Sequence, residues 1–361
     1  MLNKKSIEDI NIKNKRIFLR VDFNVPIKDK SVECTHKITS TIPTIEYILK
    51  HNPSKLIIAT HLGRPKNYDE SLSVKPIVNL LNQMMNTNFV IKNLNDIMDE
   101  KYIFLENLRF NEEEKEGYGN FFVKNADLAV LDAFGCAHRN DKSITGTKLP
   151  VYMGLLFAKE IDLAKNILNG VDLCIFGGAK ISDKIKLISE IKSKEVWMVG
   201  ALANTILKYK KINIGKSKSE ENVDLSKVLS LEIKLPTDFI TKDSLGSKKI
   251  INDDECIIDI GEETRNNLRK DILKCKKVFW NGPAGIFENK ESQEGTKAIA
   301  EGLQGLKEKG GICYVGGGET AMAALMFGDM NQYTHVSTGG GALMTLLSGG
   351  SMPGIDIIEN K

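Results

Sequence analysis

The chain has 361 residues, 42% of them hydrophobic and 27% charged, and its 50 basic and 47 acidic residues leave a formal net charge of +3. That length exceeds what one hydrophobic core fills, so two domains are expected. The ordinary composition excludes a disordered or fibrous chain, and the near balance of charge excludes a basic tract that grips nucleic acid or membrane without preference.

The opening segment, MLNKKSIEDINIKN, has no apolar stretch of the secretory kind, and no window approaches the ~20 apolar residues of a membrane span, so a cytoplasmic protein is expected. Short β-branched runs then alternate with longer amphipathic segments, the pattern of βαβ units and parallel sheets. The first half offers RIFLRVDF (16–23), KLIIAT (55–60), YIFLEN (102–107) and LAVLDAF (128–134). A segment at 149–170, LPVYMGLLFAKEIDLAKNILNG, carries apolar residues at helical spacing up to Gly170 and predicts a helix joining two α/β domains. The second half offers VDLCIF (171–176), EVWMVG (195–200), ECIIDIG (255–261), KVFWNG (277–282) and GICYVGGG (311–318). Their unbroken apolar character fits strands covered on both faces. Cys34, Cys136, Cys174, Cys256, Cys275 and Cys313 form no C-x-x-C pair, and several fall inside these runs, so they are expected to be reduced core thiols.

Ligands of open parallel sheets bind at the carboxyl ends of the strands, which makes the residues just after each run informative. In the first half these are Asp22 and Asn24, His61 and Arg64, Arg109, then His138 and Arg139. Singly each is an ordinary surface group. Together they describe a pocket for a small, strongly anionic ligand, because guanidinium forks match carboxylate and phosphate oxygens.

The second half has glycine in the corresponding places: GGAK, VGALAN, DIGEET, WNGPAGIFE, VGGGET and HVSTGGGA. Glycine between strand and helix lets backbone amides approach phosphate closely, and six such loops favour a nucleotide cleft. In VDLCIFGGAKISDKI (171–185), Lys180 and Lys184 are expected in the first turns of a helix striped with Ile181, Ile185 and Ile188. Cations are unfavourable there, and nucleotide phosphates over Gly177 and Gly178 would compensate them. Two look-alike motifs fail. Gly215, Lys216 and Ser217 resemble the end of a G-x-x-x-x-G-K-[ST] loop, but Lys210 stands where its first glycine belongs. GGGETA (316–321) fits a dinucleotide fingerprint, but the acidic residue expected near position 340 is missing, which makes a nicotinamide enzyme the weaker reading.

RVDFNVP (20–26), HLGRP (61–65), ENLRF (106–110), DAFG-AHR (132–139), GGAKISDKI (177–185), WNGPAGIFE (280–288), GGGET (316–320) and HVSTGGGA (335–342) together resemble phosphoglycerate kinase, in order and over essentially the whole chain. The resemblance implies two doubly wound, Rossmann-like parallel-sheet domains joined by a helix and hinge. Residues 1–152 would bind 3-phosphoglycerate or 1,3-bisphosphoglycerate, 153–345 would bind ADP or ATP with Mg2+, and 346–361 would return to the first domain. It also implies a monomeric enzyme of glycolysis that transfers a phosphoryl group between small molecules and closes about its hinge. On the matching positions, Asp22, Phe23, Asn24, Lys37, His61, Leu62, Gly63, Arg64, Arg109 and Arg139 would hold the glycerate and its phosphate. The nucleotide would meet Gly177, Gly178, Lys180, Lys184, Gly200, Gly261, Asn281, Pro283, Glu288, Gly317, Gly318, Glu319 and Thr320, with Glu319 on the metal. Lys37, Lys184, Gly340 and Gly341 would act on the transferred group.

Two departures stand out. The catalytic arginine of the family falls on Lys37, which keeps the charge but loses the bidentate fork, so slower transfer is expected. Glu319 stands where aspartate is expected as the magnesium ligand. Both motivate an alternative, a relative that binds ligands without efficient transfer. Glu262, Glu263 and Thr345 also differ from the family pattern, with no physical account.

Overall fold

A computed structural model describes residues 2–242 and 244–361, and in it the chain forms two compact units. The first comprises residues up to Asp162 together with Gly350–Lys361, and the second comprises Leu163–Gly349.

The first unit is built on six parallel strands lying side by side in the order Val90–Lys92, Tyr102–Leu105, Lys55–Ala59, Arg16–Val21, Leu128–Asp132 and Val151–Met153. The order runs outward from Arg16–Val21 in one direction and then restarts on its other side with Leu128–Asp132, which makes the gap between these two strands a topological switch point. The second unit repeats the plan with Ile233–Lys234, Ser193–Met198, Val171–Phe176, Lys277–Asn281, Ile312–Val315 and His335–Val336, again all parallel. Its switch point lies between Val171–Phe176 and Lys277–Asn281. The parallel sheets expected from the alternating runs, and the doubly wound architecture that the resemblance implies, are therefore present in both units.

The central strands are buried along almost their whole length, as in Val171–Phe176, where only Asp172 is partly exposed. Ile17, Leu19 and Val21 pack with Ile38, Ile45 and Ile48 of the helix His36–Lys50 in one core, while Leu173, Ile175, Val278 and Trp280 pack with Ile299 and Leu303 of the helix Glu294–Glu308 in the other. All six cysteines are free thiols. Among the described residues, no helix is long and apolar enough to cross a membrane.

Three expectations need correction. The segment 149–170 is not one helix: Val151–Met153 is an edge strand, and the helix is Leu155–Leu168. Gly154 separates them because a Cβ there would lie 2.2 Å from Asp132 Oδ1, the atom that accepts the N–H of Phe157 at 2.8 Å. The run 255–261 is not a strand of the parallel sheet. Its core, Ile257–Ile260, pairs antiparallel with Phe239–Thr241 in a separate three-stranded sheet. Finally, no helix starts directly after Gly178. Residues 177–184 form a loop and turn, and the helix is only Ile185–Glu190, so Lys180 precedes it and Lys184 is its N-cap.

Candidate functional site

In the first unit, the ends of Arg16–Val21, Lys55–Ala59, Tyr102–Leu105 and Leu128–Asp132 supply one cluster of groups at the switch point. Asp22 Oδ2 accepts from Lys37 Nζ at 2.8 Å, and Asp22 Oδ1 accepts from the N–H of Asn24 at 3.2 Å. Asn24 Oδ1 in turn accepts the N–H of Gly63 at 2.9 Å. Phe23 and Leu62 turn their side chains into the core, so each offers only backbone to a ligand. Asn107 clamps Leu62 from both sides, accepting its N–H at 3.0 Å and donating to its carbonyl at 2.8 Å. Arg109 donates to the carbonyl of Gly63 and lies 3.9 Å from Asp141. Arg64 is exposed beside them.

His61 is the centre of this cluster. Its Nδ1 faces Arg20 Nη2 at 3.2 Å and its Nε2 faces Arg139 Nη1 at 3.3 Å. Guanidinium only donates and a neutral imidazole has one lone pair, so at most one of these contacts is a hydrogen bond. Burial, and then the charges of Arg20, Arg109, Arg139 and Lys37, hold the His61 pKa far below its usual 6.5, which keeps the ring neutral. Three guanidiniums and an ammonium face only three carboxylates, those of Asp22, Asp141 and Glu114, so a positive charge is left over, and an anion relieves it.

Arg20 was not singled out by sequence because it lies inside a strand rather than after it. It is 1% exposed, donates to Ser143 Oγ at 2.8 Å and lies 3.7 Å from Glu114. The signal was an arginine within the otherwise apolar RIFLRV. Asp22, His61 and Cys136 also bring a carboxylate, an imidazole and a thiol within 4.8 Å of one another, a donor set suited to a soft cation. Burial pushes the Cys136 thiol up to about 12, and the surrounding cations oppose a further positive charge, so the pocket suits an anion better.

The second unit gathers its glycine loops at its own switch point. Gly177 N–H donates to the carbonyl of Asn281 and Gly178 N–H to that of Pro283, both at 2.9 Å. Only glycine fits at 177, since a Cβ would lie 2.1 Å from the Pro283 carbonyl oxygen. Gly200 closes on the same pair of loops, 3.1 Å from Gly178 N by the same measure. Asn281 Nδ2 donates to the carbonyl of Gly316 at 2.6 Å, and Thr320 Oγ1 accepts the N–H of Gly282 at 2.8 Å. A Cβ at Gly340 would lie 2.7 Å from Gly318 N, so the loops Gly317–Gly318 and Gly339–Gly341 touch backbone to backbone.

Lys184 curls back into this arrangement. Its Nζ donates to the carbonyls of Gly177 at 2.6 Å and Asn281 at 3.2 Å. Burial lowers its pKa from 10.5 to about 8, opposed by Glu319 and Asp183. Lys180 stays exposed on the same loop.

Beside the loops is a cavity of about 370 Å³ lined by Gly178, Gly200, Pro283, Glu288 and Glu319, five of the positions marked by sequence. Gly261 does not line it; that residue packs on Asp238 instead. An apolar wall from Phe239, Ile257, Ile258 and Ile260 was missed, because it belongs to the antiparallel sheet that the run 255–261 concealed. Glu319 stands in the first turn of the helix Gly318–Met326, and no ion pair to it occurs among the described residues. A lone carboxylate at a cavity edge beside glycine loops is a fitting ligand for Mg2+, which takes one or two carboxylates with phosphate oxygens.

The sequence model of the family described as phosphoglycerate kinase matches residues 7–350. The phosphoglycerate kinase of Finegoldia magna is 36% identical over an alignment of 399 positions, gaps included, that covers all of both sequences, and that of Dictyoglomus turgidum is 35% identical over 99% of this chain and 100% of its own. Among solved structures, phosphoglycerate kinase from Coxiella burnetii superposes with a TM-score of 0.86 at 29% identity, covering 98% of both chains.

Proposed function

Because the chain belongs to the phosphoglycerate kinase family, we propose that its first unit holds the phosphoglycerate and its second unit the nucleotide. The reaction is reversible phosphoryl transfer from 1,3-bisphosphoglycerate to ADP, giving 3-phosphoglycerate and ATP in glycolysis. The reading assigns Asp22, Asn24, His61, Arg64, Arg109 and Arg139, with the backbone of Phe23, Leu62 and Gly63, to the glycerate and its non-transferring phosphate. Lys180, Lys184 and the glycine loops at Gly177, Gly178, Gly200, Gly317 and Gly318 take the nucleotide phosphates. Asn281, Pro283 and Glu288 lie on the nucleoside side.

Phosphoryl transfer of this kind asks little covalent chemistry of a protein. Position and charge do most of it, since negative charge spreads over three equatorial oxygens while the attacking and leaving oxygens lie in line. Lys37 and Lys184 supply cations to that group, and the amides of Gly340 and Gly341 supply neutral donors that need no reorganisation. Glu319 would hold Mg2+, which neutralises charge on the nucleotide phosphates when bound. The enzyme acts in the cytoplasm as a monomer on small molecules, with no nucleic acid or membrane partner.

The observation that supports this most is the ammonium of Lys184 lying where the loops after Val171–Phe176 and Lys277–Asn281 meet, held there by the carbonyls of Gly177 and Asn281. A coupled assay for ATP formation from 1,3-bisphosphoglycerate and ADP tests it. Turnover is the expected result, and heat of nucleotide binding without turnover would overturn it.

A further inference from the structure

The lysine loop is fastened by a residue that the reaction scheme leaves unused. Glu220 Oε2 accepts the N–H groups of Ile181 and Ser182, the second at 2.9 Å, and Glu220 Oε1 accepts the hydroxyl of Ser182 at 2.6 Å. Two successive amides aimed at one point are what a backbone offers to a phosphate oxygen. Here the chain's own carboxylate fills that place. Burial opposes its charge, but the bonds from Ser182 and Ile181 and the nearby Lys180 hold its pKa below the usual carboxylate range.

Glu220 is itself anchored. Its backbone N–H donates to Thr205 Oγ1 at 3.0 Å, and the Thr205 hydroxyl donates to the carbonyl of Ala201 at 2.9 Å. Asn204 Nδ2 holds the carbonyl of Lys218 at 3.2 Å. Thr205 and Asn204 belong to the helix Gly200–Tyr209, whose first residues line the nucleotide cavity. A continuous set of hydrogen bonds therefore runs from the cavity wall through Glu220 to the loop carrying Lys180 and Lys184. Ile181 is fully buried, so the loop has one apolar anchor and one ionic one, with the two lysines on either side of them.

We propose that Glu220 is a positioning residue for the nucleotide phosphates: it occupies the loop amides in place of an external anion and so fixes, beside the cavity, the loop that carries Lys180 and Lys184. This rests on the nucleotide reading of the second unit. Without the carboxylate, the loop loses three bonds at once and the lysines lose their fixed approach. An error of about 1 Å in such groups can cost ~100-fold in rate.

The test compares wild type, Glu220→Ala, Glu220→Gln and Ser182→Ala in the coupled assay, with KM for both substrates, kcat and melting temperature. Glu220→Ala is expected to raise KM for ADP about tenfold and lower kcat, while KM for 1,3-bisphosphoglycerate changes less than about twofold. Glu220→Gln, which keeps one acceptor oxygen, falls between. Tripolyphosphate affinity, measured by calorimetry, falls in the same order. An ADP KM within about twofold of wild type in Glu220→Ala, or both KM values rising together, would overturn the proposal. Should Glu220→Ala fail to fold, Glu220→Gln and Ser182→Ala carry the same two-substrate comparison. If wild type itself makes no ATP, the kinase reading fails, and tripolyphosphate binding by the variants still decides the role of Glu220.

Discussion

The ammonium of Lys37 and the carboxylate of Asp22 lie 2.8 Å apart, joining the first turn of the helix His36–Lys50 to the end of the strand Arg16–Val21. An ammonium carries its three donors on one atom, so a phosphoryl oxygen would have to crowd the same nitrogen that Asp22 holds. A guanidinium at the same place spreads five donors over a planar fork that matches two phosphoryl oxygens side by side. Lys37→Arg is therefore expected to raise kcat by about 10- to 100-fold, less than the ~100- to 1,000-fold that one whole charge-stabilising donor is worth, because the positive charge is already present. Unchanged turnover in steady-state kinetics would show that another group already supplies this charge.

The pKa of Lys184 near 8 gives nucleotide binding a pH dependence. In the ligand-free protein the ammonium is lost as pH rises through about 8, so affinity for ADP weakens above that value. A bound phosphate restores the proton, so binding near pH 8 takes up protons, which calorimetry in buffers of different ionisation enthalpy measures directly. The sign for stability is opposite. Between about 8 and the ordinary 10.5 the unfolded chain binds the proton more fully than the folded one, so the stability of the free protein gains with pH in that window.

Glu319 reaches the cavity on a side chain one methylene longer than aspartate, and Mg2+ tolerates little error in ligand distance. Glu319→Gln is expected to raise the Mg2+ concentration for half-maximal activity by about tenfold or more, while Glu319→Asp shifts it less. Titration of activity with Mg2+ at saturating ADP reads both. Equal dependence in wild type and Glu319→Gln would move the metal ligand elsewhere.

Gly340 touches backbone rather than side chain. An added Cβ would lie 2.7 Å from Gly318 N and 2.9 Å from Gly317 Cα, atoms that cannot rotate aside. Gly340→Ala must push the two glycine segments apart, and kcat is expected to fall about 10- to 100-fold. The neighbouring Gly341 has open space within 4 Å, so the melting temperature of Gly341→Ala should stay within about 2 °C of wild type while that of Gly340→Ala drops. Thermal melts of the two variants side by side check this.

The central strands were legible because each is covered on both faces and so reads as one apolar run. The candidate sites were legible for a related reason: charged residues and glycines stood immediately after those runs, where a parallel sheet delivers its ligands. What escaped was set by partners far along the chain. Gly154 looked like one more residue of an amphipathic helix, because nothing local shows that Asp132 stands against it. The spacing of Ile181, Ile185 and Ile188 is helical, yet the first of them sits in a turn that brings Lys184 back to the carbonyl of Gly177. Glu220, 38 residues beyond Ser182, could not be linked to that turn by any pattern. The run 255–261 has the apolar content of a parallel strand, and only its three-residue partner Phe239–Thr241 makes it antiparallel.

The segment Gly350–Lys361 belongs with residues from the other end of the chain: Gly354 N–H donates to the carbonyl of Ala137 at 2.9 Å, and Lys4 Nζ to that of Ile358 at 2.7 Å. The first unit is thus assembled from two stretches far apart in sequence, whereas the second is a single continuous stretch. Cutting the chain after residue 349 would leave the second unit whole and strip the first of these tethers, so the damage of such a cut would fall on the half of the molecule that is distant in sequence from it.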